Sequence, residues 1–252
     1  MTFEQIAQIA GVPVDHSFLR CKKELTKYGY EVGKISMKEQ KIVFERIPNS
    51  RPLVLYVHGK GGSAAEAEHY KPLFPDCSVI GLDYTSETPW DAKKEFPPVF
   101  QKLSAPYSRT ILIANSIGAY FSMHALPQEK LERAYFVSPV VDMEKLICGM
   151  MLTANVSEAD LREKGTVETV FGETLSWTYL SFVRAHPLRW NVPTKILYGE
   201  RDHLTSKETI TLFANSHHAG LTIMEDGEHW FHTPEQTAFL DAWIKSCENE
   251  PH

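Results

Sequence analysis

Six short, continuous apolar runs recur along the chain after residue 51, separated by segments in which apolar residues follow a helical spacing. Runs of this β-branched and aliphatic type are typical of strands that are buried on both faces. They lie at 52–59, 77–84, 109–116, 133–139, 194–199 and 221–226, and the helical patterns lie at 64–74, 88–104, 117–126, 206–218 and 233–247. This alternation predicts an α/β fold with a doubly wound, mostly parallel sheet.

Two segments depart from this alternation of strands and helices, and they indicate the domain organisation. Residues 3–29 are predicted to form two short helices, and the period-two alternation of 31–47 predicts a β-hairpin. More than fifty residues separate the fourth run from the fifth, which is too long for a plain crossover, and both 143–165 and 174–190 have helical patterns. We therefore predict a core formed by 1–140 (with the N-terminal helices and hairpin at 1–47) and 191–252, and a helical insertion at 141–190 that covers the strand ends.

Composition narrows the class of protein. The chain has 252 residues, of which 43% are apolar and 23% charged, and its net charge of −6 does not favour nucleic-acid binding. Four scattered cysteines form no C-x-x-C pair, so we expect neither a metal site nor a redox motif, and no cofactor. The N-terminus lacks a basic region before an apolar one, and no apolar stretch could span a bilayer, so we expect a cytoplasmic protein.

Candidate chemistry lies directly after the predicted strands. In open α/β sheets, sites form at the carboxyl ends of the strands. The glycine-rich segment "HGKGGS" (58–63) follows the first run, and Ser116 follows the third. Asp202 follows the fifth run and His229 follows the sixth. A serine, an aspartate and a histidine should therefore meet at one edge of the sheet.

These three residue types form a set that can perform nucleophilic catalysis. A serine hydroxyl is a poor nucleophile at neutral pH unless an imidazole accepts its proton. The imidazole needs a carboxylate that fixes its tautomer, and the developing oxyanion needs preorganised N–H donors. A tight turn from strand to helix also needs small residues two positions before and after the serine, and Ala114 and Gly118 are small.

The chain resembles the α/β-hydrolase fold family, specifically its single-domain serine hydrolases with a helical cap. The resemblance covers about residues 40–247 and is carried by four motifs in the right order: "HGKGG", "ANSIGA", "YGERDHLT" and "DGEHWF". Two features depart from the family pattern. Ala114 replaces the first glycine of the nucleophile turn, and the segment "TSETPW" (85–90) lacks the glycine-rich run often found there.

The resemblance implies a role for each candidate residue. Ser116 would be the nucleophile, His229 the general base and acid, and Asp202 the carboxylate that orients the imidazole. The backbone N–H groups of Lys60 and Ile117 would form the oxyanion hole. The implied reaction is hydrolysis of a carboxylic ester through an acyl-enzyme, with a small, apolar acyl compound as substrate.

Other residues and other reactions compete with this interpretation. Glu200 and Asp226 compete with Asp202, and His203 and His232 compete with His229, whereas His58 is expected to support the turn structurally. The Lys60 ammonium is expected either to face solvent or to lie over the pocket mouth, and Trp230 to form pocket wall or packing. An amide or peptide, a thioester or a C–C bond could replace the ester as the cleaved bond. A binding protein without catalysis is the remaining alternative.

Overall fold

The structure is a computed structural model, and it describes residues 31–38, 41–47 and 51–249. The helices predicted within 3–29 lie outside these residues. The predicted hairpin is confirmed, since β1 (Glu31–Lys38) pairs antiparallel with β2 (Lys41–Ile47). The register of this pair shifts once, between Val32 and Lys34.

A six-stranded parallel sheet forms the centre of the molecule, as the apolar runs predicted. In chain order its strands are β3 (Leu53–Val57), β4 (Ser78–Leu82), β5 (Thr110–Asn115), β6 (Leu131–Val137), β9 (Thr194–Gly199) and β10 (Gly220–Met224). Their order across the sheet is β10-β9-β6-β5-β3-β4, and every neighbouring pair is parallel. The chain reverses its direction of travel between β3 and β5. Ligand sites of open α/β sheets form at such a switch point.

Alternate residues of each strand pack into two different core layers. In β3, Leu53 and Leu55 face one layer, whereas Val54 and Tyr56 face the other. The first layer is covered by α1 (Pro89–Ser104), α2 (Ile117–Ala125) and α6 (Lys207–Ser216). The second layer is covered by a 3-10 helix (Ala64–Leu73) and by α7 (Pro234–Asn249). Helices thus cover both faces of the sheet, which explains why its strands are continuously apolar.

The segment between β3 and β4 forms a 3-10 helix, although the apolar pattern of 64–74 resembles that of an α-helix. Pro72 lies near the end of this segment and has no backbone N–H to donate to a preceding carbonyl. The start of α7 agrees with the sequence, because Thr233 Oγ1 accepts a hydrogen bond from the Gln236 N–H at 3.2 Å and Pro234 is the first helical residue. Helices α1 and α7 have 16 residues each. Among the described residues, no helix is both long and apolar enough to cross a membrane.

The segment between β6 and β9 is less helical than we expected. It contains α3 (Met143–Thr153), α4 (Glu158–Lys164), β7 (Thr166–Glu168), β8 (Thr174–Ser176) and α5 (Trp177–Ala185). β7 and β8 form an antiparallel ribbon, so the helical prediction for 174–190 is wrong at its start. It is also wrong after Ala185, where Pro187 disfavours the helical conformation of His186.

Candidate active site

Ser116 occupies a strained turn between β5 and α2. Its backbone has φ 50° and ψ −121°, a region that residues with a side chain rarely adopt. Three backbone bonds hold the turn. The Ser116 N–H donates to the Val137 carbonyl at 3.0 Å, and the Ser116 carbonyl accepts from the N–H groups of Val140 at 3.1 Å and Ala119 at 3.2 Å. The strain is therefore built into the connection between β5, α2 and the end of β6.

Small residues allow this turn to pack tightly, as predicted. Ala114 is fully buried. A Cβ atom at Gly118 would lie 2.2 Å from the carbonyl oxygen of His58, and one at Gly59 would lie 3.2 Å from the Ser116 Cβ. The first turn of α2 thus lies directly against the segment that follows β3. Only glycine at 118 permits that approach.

Ser116, His229 and Asp202 form a continuous hydrogen-bonded row. The Ser116 Oγ lies 2.8 Å from His229 Nε2, and His229 Nδ1 lies 2.7 Å from Asp202 Oδ2. His229 is 4% exposed and Asp202 is 8% exposed. Because each residue follows a different strand, the sheet rather than local sequence brings them together. The row allows the imidazole to accept the serine proton while the carboxylate faces its other nitrogen.

The Asp202 carboxylate is held by its own loop. Its Oδ1 accepts hydrogen bonds from the backbone N–H groups of Leu204 at 2.8 Å and Thr205 at 3.1 Å, which leaves Oδ2 for His229. Burial, with smaller contributions from nearby carboxylates, raises the pKa of Tyr198 to about 12. Its hydroxyl is therefore protonated at neutral pH and donates to the Thr205 carbonyl at 2.8 Å. These contacts fix the direction in which the carboxylate points.

The competing acids and histidines lie elsewhere. Glu200 pairs with Lys207 at 3.3 Å, and Asp226 pairs with Arg201 at 2.5 Å, both at the surface. His203 is exposed, and its ring centroid is 6.5 Å from that of His229. The side chain of His232 faces Glu228 instead, at 3.6 Å. Among the described residues, only the predicted three form the hydrogen-bonded row.

The glycine-rich segment after β3 forms a compact turn beside Ser116. The Gly62 N–H donates to the Gly59 carbonyl at 3.1 Å, and Gly61 adopts φ 75°. The Lys60 N–H belongs to this turn, and the Ile117 N–H opens α2. In the described part of the chain neither of these two N–H groups donates to a backbone carbonyl. Both can therefore donate to a ligand, and the dipole of α2 favours negative charge at Ile117.

His58 supports this turn from beneath, as expected of a structural residue. Its Nδ1 lies 2.8 Å from the Gly59 carbonyl oxygen. Its ring stacks on Tyr84 with centroids 4.1 Å apart, and the Tyr84 hydroxyl donates to the His58 carbonyl at 2.7 Å. The ring nitrogen Nδ1, the ring face and the carbonyl of His58 are thus all engaged in contacts that stabilise the turn.

The segment between β6 and β9 contacts the core close to the site. The Lys60 ammonium donates to both Glu173 carboxylate oxygens at 2.6 Å, so it faces this segment rather than solvent alone. Tyr179 and Phe182 of α5 contact Trp90 with ring centroids 5.4 and 5.1 Å apart. By contrast, Trp230 is 74% exposed, so it does not pack, and its other expected role, as pocket wall, stays a prediction.

Sequence reasoning missed a group of polar side chains behind the serine turn. Asn115 Nδ2 donates to the Tyr56 hydroxyl at 3.0 Å, and that hydroxyl donates to the Glu66 carboxylate. The available signal was a tyrosine inside a strand predicted to be buried on both faces. Its hydroxyl needed a partner there.

Solved structures share this architecture. Est1E from Butyrivibrio proteoclasticus superposes with a TM-score of 0.66 at 13% sequence identity, over 86% of this chain and 98% of that one. A second Est1E structure, with ferulic acid bound, has a TM-score of 0.60 at 13% identity, over 87% and 95%. Alpha/beta hydrolase domain-containing protein 10 from mouse has a TM-score of 0.60 at 15% identity, over 86% and 99%. The chain therefore has the α/β-hydrolase fold. Its sequence matches no protein-family model, and no curated protein matches it.

Proposed function

We propose that this protein is a serine hydrolase that cleaves a carboxylic ester through an acyl-enzyme. One observation carries the proposal: Ser116, His229 and Asp202 are joined by hydrogen bonds of 2.8 and 2.7 Å across three separate loops. The strained backbone of Ser116 supports it, because such strain presents the hydroxyl at the top of the sheet.

In the first half of the reaction, the Ser116 Oγ attacks the ester carbonyl while His229 Nε2 accepts its proton. Asp202 keeps the Nδ1 proton of His229 facing the carboxylate and stabilises the imidazolium. The tetrahedral oxyanion accepts hydrogen bonds from the N–H groups of Lys60 and Ile117. The alcohol then leaves with the proton from His229.

In the second half, a water molecule attacks the acyl-Ser116 ester and His229 accepts the water proton. The same two N–H groups stabilise the second oxyanion. Collapse of this intermediate releases the carboxylic acid and returns the proton to Ser116. These steps use no metal or cofactor.

The shared fold supports hydrolysis of a carboxylic acid derivative, of which we propose the ester. Est1E has this fold and has been solved with ferulic acid bound. Ferulic acid is a carboxylic acid, the type of product that hydrolysis of an ester, a thioester or an amide releases. We also propose that residues 141–190 act as a cap, since Glu173 and α5 contact the core beside Lys60 and Trp90.

A panel of activated acyl substrates tests the proposal. Wild-type protein and Ser116→Ala would be compared on short-chain aryl esters, an acyl thioester and an aminoacyl aryl amide. We expect ester hydrolysis in the wild type and its loss in the variant, with an unchanged melting temperature. A higher kcat/KM on the amide or thioester would contradict the ester assignment. Equal ester turnover by both proteins would contradict the mechanism.

A further inference from the structure

A chain of hydrogen bonds links the two loops that supply the oxyanion donors. Asn115 Nδ2 donates to the Tyr56 hydroxyl at 3.0 Å, and the Tyr56 hydroxyl donates to Glu66 Oε2. The other carboxylate oxygen, Glu66 Oε1, accepts from the Ser63 N–H at 3.0 Å. We call these four residues the Asn115–Ser63 chain. It starts one residue before the serine and ends on the glycine-rich turn.

Burial fixes the direction of this chain. Tyr56 lies inside the sheet and has no exposed surface. Burial, followed by the neighbouring Tyr70 and the bond to Glu66, raises the pKa of its hydroxyl far above the usual value. The hydroxyl is therefore always protonated at neutral pH. It donates to Glu66 and accepts from Asn115, and each bond supports the next.

Packing alone does not explain Asn115. Its Oδ1 atom is buried and accepts no hydrogen bond from the described residues. A buried acceptor without a partner costs about 1–3 kcal/mol. An apolar side chain at this position would avoid that cost, which argues that the Nδ2 donor has a task other than packing.

The Asn115–Ser63 chain lies at the end of the paired strands, next to the loops that follow their last hydrogen-bonded residues. β3 ends at Val57 and β5 ends at Asn115, so the N–H groups of Lys60 and Ile117 both lie beyond the paired residues. Glu66 also packs directly against the turn, because a Cβ at Gly62 would lie 2.6 Å from its Oε1. The Glu66 carboxylate thus packs against one side of the glycine-rich turn. Through the Tyr56 hydroxyl it is also linked to Asn115, the residue that precedes Ser116.

We propose that Tyr56 and Glu66 are positioning residues that set the separation of the two oxyanion donors. The inference rests on the proposed function, because it concerns how the oxyanion hole of that reaction is held. Donors of this kind stabilise the transition state more than the bound substrate. A loosened hole should therefore lower kcat and leave KM unchanged.

Tyr56→Phe, Glu66→Gln, their double variant and one matched control test this proposal on the full chain. Tyr56→Phe removes only the linking hydroxyl, and Glu66→Gln removes the carboxylate charge. The control is Tyr135→Phe, since Tyr135 is also a buried strand tyrosine whose hydroxyl donates to a glutamate, Glu248. Each protein would be assayed for kcat and KM on an aryl ester. Its inhibition constant would also be measured with a boronic acid, which forms a tetrahedral adduct with an active serine.

Complete loss of one oxyanion donor lowers kcat by about 10²–10³, so displacing a donor should lower it by about tenfold. We expect this fall in Tyr56→Phe and Glu66→Gln, with KM within about twofold and the boronic acid binding about tenfold more weakly. The double variant should resemble the single ones, because both break the same chain. Tyr135→Phe should match the wild type.

Wild-type kcat in both single variants would overturn the inference, as would the same fall in kcat in Tyr135→Phe. If Tyr56→Phe does not fold, Glu66→Gln decides the matter alone, since Glu66 is an exposed residue. Ser116→Ala distinguishes failure of this inference from failure of the proposed function. An inactive Ser116→Ala beside unchanged positioning variants rejects only this inference. A wild type without ester hydrolysis rejects the proposed function and this inference together.

Discussion

Replacement of Asp202 by asparagine should invert the hydrogen bonding of His229. In the structure, Asp202 Oδ1 accepts from the Leu204 and Thr205 N–H groups, and Oδ2 faces His229 Nδ1 at 2.7 Å. An asparagine that kept its oxygen toward His229 would point its NH₂ group at two N–H donors. Each donor left without an acceptor costs about 1–3 kcal/mol, so this orientation is disfavoured by about 2 kcal/mol or more.

The favoured orientation therefore points the asparagine NH₂ group at His229 Nδ1. Nδ1 must then accept, and the ring proton moves to Nε2, the atom that lies 2.8 Å from the Ser116 Oγ. A protonated Nε2 cannot accept the serine proton. Loss of the correct tautomer in a serine triad lowers kcat by about 10⁴, and we expect a fall of this order.

The assay is kcat on an aryl ester at pH 8, with Asp226→Asn as the matched control. Asp226 lies three residues before His229 and forms a surface pair with Arg201, so its replacement should leave kcat unchanged. Retention of more than about a tenth of wild-type kcat in Asp202→Asn would refute the reasoning, since the wrong tautomer should cost about 10⁴. Equal losses in the two variants would refute it as well.

Three further predictions concern stability and the cap. Gly118→Ala should lower the free energy of unfolding by about 1–3 kcal/mol in urea titrations, because its Cβ would lie 2.2 Å from the His58 carbonyl oxygen. Its control is Gly149→Ala, which has open space around its Cβ and should not destabilise the protein. Burial, followed by the nearby Lys93 and His186, lowers the pKa of His124 to about 4. As the pH falls from 7 to 5, the unfolded chain therefore binds more protons at this histidine than the folded chain does. After allowance for solvent screening, the free energy of unfolding should fall by about 1 kcal/mol over this range, and by less in His124→Gln. Glu173→Gln should change the melting temperature little, since exposed ion pairs contribute under about 1 kcal/mol, and a large drop in thermal unfolding would contradict this.

Patterns of burial made the sheet predictable. Strands covered on both faces must be continuously apolar, so each run from 52–59 onward marked a strand to within about two residues. The parallel topology then placed the residues that follow those strands at one edge. That step alone brought Ser116, Asp202 and His229 into one region without any local motif.

Features that depend on three-dimensional contacts were not predictable. The β7–β8 ribbon has strands of only three residues, too short to show an alternation, and its helical neighbours obscured it. A tyrosine inside a strand buried on both faces needs a hydrogen-bond partner for its hydroxyl, but nothing in the sequence indicated that the partner of Tyr56 is Glu66, ten positions later. The exposure of Trp230 likewise depends on which segments cover the site rather than on its own sequence context.

Reaction with a fluorophosphonate probe tests the central claim most directly, because the probe modifies only a serine that is activated as a nucleophile. Native wild-type protein would be treated with the probe and the adduct located by peptide mass spectrometry. We predict a single adduct on Ser116 that disappears in His229→Ala and in unfolded protein. A native wild type that remains unmodified, or an equal rate of modification in His229→Ala, would contradict the claim that His229 activates Ser116.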